Sequence, residues 1–176
     1  MRFQFRATTG FSLFEVVIAV GIFAVAITVM IGLLPSLTRQ SATSIETQNA
    51  LRLPDAVRSE LVRVATAGGF DALAARVNTL ASPVPDTLKL IATRDASAVQ
   101  SLDYQPPSAD EQIGTDDRYF LVETWRFADA PLAFDSEGAS LALHVRVSWP
   151  YRLPNSASVT PLVSRAQLTF NLALRR

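Results

Sequence analysis

Residues 11–34 read FSLFEVVIAVGIFAVAITVMIGLL, and the only ionisable side chain among these 24 is Glu15. At about 1.5 Å per residue, a helix of this length extends roughly 36 Å, enough to cross a hydrocarbon core of about 30 Å. Its apolar residues occur all round rather than on one stripe, the pattern of a helix surrounded by lipid or packed protein. The segment is therefore expected to span a membrane. Arg2 and Arg6 precede it without an acidic residue beside them, so the positive-inside rule keeps the N-terminus cytoplasmic and sends the rest of the chain outside. A cleavable secretory signal has a shorter apolar region, about 7 to 15 residues, closed by a small-residue cleavage site. Here Pro35, Leu37 and Arg39 follow instead.

At the cytoplasmic edge of this span stand Gly10, Phe11, Ser12, Leu13, Phe14 and Glu15. A glycine, an apolar residue after it, a glutamate five positions after the glycine and an unbroken apolar run together resemble the class III signal of type IV pilins and of type II secretion pseudopilins. The resemblance covers about the first 35 residues, and the basic leader and Pro35 fit it as well. It implies that a prepilin peptidase cuts between Gly10 and Phe11, that Phe11 becomes N-methylated, and that Glu15 sets the register between neighbouring subunits. Glu15 also invites a physical argument. An ionisable group inside a span costs about 2.5 to 3.5 kcal/mol on insertion scales, so something should compensate. Cleavage after Gly10 would create a positive amine on Phe11, four residues before Glu15, and stacked subunits could pair that amine with a carboxylate. The alternative is a glutamate that snorkels to the cytoplasmic headgroups. Gly21 and Gly32 lack the four-residue spacing of a dimerising pair and read as gap-fillers. Pro35 should kink or loosen the helix near the membrane edge.

The whole chain has 176 residues, enough for one modest domain beside the span. Sixteen basic and sixteen acidic side chains balance, so no strong field draws the protein to nucleic acid, and none is expected as a partner. Without cysteine there is no disulfide, thiolate metal site, cysteine nucleophile or lipid-modified cysteine.

After Pro35 the composition turns polar and helix-compatible up to Gly68 and Gly69. Leu53, Val57, Leu61 and Val64 recur at offsets of four, four and three, one apolar stripe suited to packing on a sheet. Pro54 and Asp55 are expected to interrupt this helix or begin a new one. FDALAARVN, residues 70–78, reads as a short helix. Four later segments read as strands: Leu88–Thr93, Tyr119–Phe127, Leu141–Trp149 and Ser164–Ala173. In the third, Leu141, Leu143, Val145, Val147 and Trp149 share a face; in the last, Ala166, Leu168, Phe170, Leu172 and Leu174 do. One-sided burial of this kind suggests an antiparallel sheet with a helix on its apolar face. The expected organisation is a leader (1–10), a transmembrane helix (11–35), its extracytoplasmic continuation (36–69) and a globular antiparallel-sheet region (70–176). The fold class is α+β, a long N-terminal helix on a small sheet, which is also the architecture the pilin resemblance implies.

Catalytic chemistry finds little purchase. The single histidine, His144, falls on the polar face of a strand beside Ala142 and Arg146, and reads as a surface histidine. Without a second histidine or any cysteine, most metal and nucleophile schemes are closed. Asp103, Asp110, Glu111, Asp116 and Asp117 offer oxygen ligands that calcium could use, but their spacing is not that of an EF-hand, and a solvated loop is the preferred reading. No enzyme activity, metal or cofactor is expected. The missing disulfide, and the lack of acidic residues after Glu137 for a C-terminal calcium loop, set the chain apart from major pilins and pseudopilins. A minor pilin or minor pseudopilin in the bacterial inner membrane, with a periplasmic domain, is therefore expected. Its partners would be the prepilin peptidase, sibling subunits, the inner-membrane assembly platform and lipid. The alternative is a periplasmic binding or sensor domain on a plain signal anchor.

Overall fold

A computed structural model of the chain describes residues 12–81, 86–103, 112–153, 156 and 158–176. The chain divides into two compact units, Met1–Ser44 and Ile45–Arg176. Helix α1, Leu13–Gly68, contributes to both. Ser12 opens it: its Oγ accepts the N–H of Glu15 at 3.2 Å, and its carbonyl accepts the N–H groups of Glu15 and Val16. First-turn donors that have no partner inside a helix are met this way by a capping serine. Every described residue of the first unit is exposed. The hydroxyls of Thr28, Ser36 and Thr38 turn back onto carbonyls one turn earlier, so these polar side chains bond to their own backbone.

α1 passes Pro35 unbroken, and it also passes Pro54. The expected interruption at Pro54 and Asp55 is therefore corrected. A proline inside a helix costs about 3 kcal/mol, but Leu53 and Val57, on either side of it, are completely buried. Each such side chain contributes about 1.5 to 3 kcal/mol by leaving water, so packing outweighs the local penalty. The helix ends at Gly68. Gly69 follows at φ +91°, the left-handed region that glycine enters without a Cβ clash, and its N–H closes the last turn on the Ala65 carbonyl at 2.8 Å. A short helix, α2 (Phe70–Arg76), comes next.

Five strands follow: β1 (Leu88–Ala92), β2 (Val99–Ser101), β3 (Phe120–Arg126), β4 (Ser140–Trp149) and β5 (Ala166–Arg175). They form one sheet in the order β2-β1-β3-β4-β5, with every neighbour antiparallel. Four of them match the expected segments to within two residues at each end. β2 is the addition, since three residues are too short to show a period. On the inner face Leu90, Phe120, Val122 and the alternating residues Leu141, Leu143, Val145 and Val147 meet Ala50, Leu53, Val57 and Leu61 of α1. Val64, the last of the stripe, is half-buried against the same core, and α2 adds Leu73 and Ala74. The fold class is α+β, an apolar N-terminal helix whose later turns pack on an antiparallel sheet.

The outer face is mixed. Ile91, Leu121 and Ile113 form a small second core. Beside it Trp125 is buried under the Arg146 guanidinium, 4.8 Å from its ring, and Arg146 is held by Glu123 at 2.8 Å.

Candidate assembly site

Glu15 lies in the first turn of α1, exposed, three residues after the serine that caps the helix. Ser12 and Glu15 thus form the first half of a capping box. This local role is separate from any contact with a neighbouring subunit. A carboxylate in the first turn also suits the partial positive charge of a helix N-terminus. From Ser12 to Thr38 no other side chain is ionisable. The most apolar window of α1 has a mean hydropathy of 2.9 and none of it is buried within the chain. The helix is long and apolar enough to cross a membrane. Gly10 and Phe11, the expected cleavage pair, lie outside the described residues.

The second unit fastens α1 to the sheet through polar contacts that no motif announced. Glu46 holds Arg94 at 2.8 Å, and Asn49 Nδ2 donates to the Arg94 carbonyl at 3.0 Å. Arg94 also lies 5.0 Å over the Tyr119 ring. Burial, with Glu46 adding to it, pushes the Tyr119 phenol well above its ordinary range, so it stays neutral. In the same turn Asp95 accepts bonds from the Thr93 hydroxyl and from the N–H and hydroxyl of Ser97. These hold its carboxyl down at about 2. Farther along α1, Glu60 is 7% exposed. Arg63 grips it with two bonds of 2.7 Å, and Glu60 Oε1 accepts the N–H of Ser101 in β2 at 3.1 Å.

His144 is half-buried on the outer face, its Nδ1 3.1 Å from Asn171 Oδ1, a cross-strand pair between β4 and β5. Of the acidic group, Asp103 lies 3.6 Å from Arg76, and Asp116 and Asp117 sit in an exposed 3-10 turn. Asp110 and Glu111 lie outside the described residues. Asp95, Asp116 and Asp117 line one cleft of about 470 Å³, shared with Arg94 and Tyr119. Among the described residues no group of three or more histidine, cysteine, aspartate or glutamate side chains could hold a metal ion.

No protein-family model, curated protein or solved structure matches the chain.

Proposed function

We propose that this chain is a minor pilin or minor pseudopilin, a structural subunit of a type IV pilus-like or type II secretion filament. In this reading prepilin peptidase cuts between Gly10 and Phe11, Phe11 is N-methylated, and α1 roots the protein in the inner membrane with its C-terminal unit in the periplasm. The assembly platform and sibling subunits then draw it into a filament. The observation that carries the reading is Glu15. It is the lone ionisable side chain between Ser12 and Thr38, a stretch of α1 that is apolar and exposed throughout, and it sits in the first turn, four residues after Phe11.

Exposure on every side suits a helix meant to be covered by lipid and then by neighbouring helices. A carboxylate among such neighbours needs a cation, because an unpaired charge in an apolar bundle is costly. The amine that cleavage would create on Phe11 supplies one. A plain membrane tether has no use for either group. Processing of a Gly10→Leu variant tests the reading, because the peptidase must fit a small residue at the cut. Full-length precursor should accumulate in the membrane, and normal cleavage of Gly10→Leu would count against the assignment.

A further inference from the structure

The two edges of the sheet are finished in different ways. β2 is only three residues long. Leu102 donates its N–H to Lys89, so the intervening Ser101 turns its backbone outward, and there the Glu60 carboxylate takes its N–H. That edge is capped by α1.

β5 is ten residues long and ends the sheet on the other side. Arg176 donates its N–H to the carbonyl of Ala139, the residue just ahead of β4. In an antiparallel ladder successive residues alternate between facing the partner strand and facing away. Leu168, Phe170, Leu172 and Leu174 therefore bond to β4, while Gln167, Thr169, Asn171, Ala173 and Arg175 turn their N–H and C=O groups outward. Among the described residues no strand pairs with that side. Proteins usually guard a long edge with lysine, proline, a bulge or inward-pointing charge. From Ala166 to Leu174 there is neither a charge nor a proline, and the one-to-one register with β4 has no bulge.

The space beside this edge is apolar on its inner side. Leu168, Phe170 and Leu172 are only half-buried. On α1, Val62 is 46% exposed and shares a cleft with Leu174. A sixth strand would lie over these apolar side chains. At the outer end Arg175 is exposed and makes no ion pair among the described residues, and β5 has no acidic residue to balance it.

We propose that the outer edge of β5 receives an extended segment of another protein, apolar at alternate positions, with a carboxylate placed to meet Arg175. Backbone bonds would supply the affinity, and apolar side chains seated between β5 and α1 the selectivity. A second copy of this chain is the other strand available. Antiparallel pairing of β5 with β5 relates two copies by a two-fold axis normal to the sheet and reverses the direction of α1. Copies rooted in one membrane share one direction, so the choice of a different chain rests on the membrane reading above.

The test uses the full chain in detergent and a synthetic peptide of alternating valine and threonine ending in aspartate, with amide exchange followed residue by residue. The peptide should slow exchange at Gln167, Thr169, Asn171, Ala173 and Arg175 while leaving Phe170 and Leu172 unchanged. Its N-methylated analogue should have no effect. Thr169→Pro removes one outward donor and Thr169→Lys guards the edge; each should weaken binding about tenfold, the worth of one or two backbone bonds. No protection, or equal protection by the N-methylated peptide, would overturn the proposal. Protection without peptide that grows with protein concentration would also overturn it, assigning the edge to a second copy. None of these readouts involves cleavage at Gly10, so failure here is distinct from failure of the filament reading.

Discussion

Glu60 and Glu15 meet their surroundings on different terms. Glu60 is closed off from water and bonded on both sides, by Arg63 along the helix and by the Ser101 N–H across to β2. Glu60→Ala removes an acceptor from a buried donor, a loss of about 1 to 3 kcal/mol. Glu60→Gln retains an oxygen at that point and should cost less, an order that thermal unfolding of the two variants would check. This contact was not legible in the sequence, because Glu60 lies beside the apolar stripe with nothing to distinguish it from a solvated glutamate, and its partner belongs to a strand too short to read. Glu15 was legible through its isolation among apolar residues. If its carboxylate pairs with the Phe11 amine of a neighbour, Glu15→Gln keeps the shape and leaves that amine buried alone, costing about 3 to 5 kcal/mol. Insertion and cleavage should survive while crosslinking to sibling subunits falls. Crosslinking yields equal to wild type at matched expression would remove Glu15 from the assembly contact.

At the scale of elements, α1 shows where propensity and packing part company. Pro54 reads as a break because a proline lacks the N–H of a helical turn, yet the buried neighbours Leu53 and Val57 hold the helix through it. Pro54→Ala should restore that donor without disturbing the stripe. The gain is roughly 2 kcal/mol, the ~3 kcal/mol helical penalty less the ~1 kcal/mol that proline contributes by stiffening the unfolded chain. A rise in the unfolding temperature would show it, and a fall would mean that the Pro54 ring packs where alanine cannot. The long strands were readable because alternation over ten residues has few competing explanations. Leu141 to Trp149 bury one side as their pattern requires. Strand ends were less sharp: β5 begins two residues later than its pattern suggests, since Leu162–Ser164 form a 3-10 turn.

For the whole molecule, chain without a core gives way to chain that builds one some residues after the change of composition at Pro35. Every buried apolar residue among the described ones lies at Ala50 or later, inside the unit that begins at Ile45. Hydropathy marked the change at Pro35 but not the start of this unit, because residues 36–44 are polar and still exposed. The open edge of β5 was not legible either, because exposure of an edge depends on strand order, and strand order is a property of the assembled sheet. At the other end of the chain, processing at Gly10 is read from the N-terminal mass of the protein. Expressed with an active prepilin peptidase, the protein should lose residues 1–10 and carry one methyl group on the Phe11 amine; expressed without it, the chain should retain its leader. An N-terminus at Met1 in both cases would contradict the account.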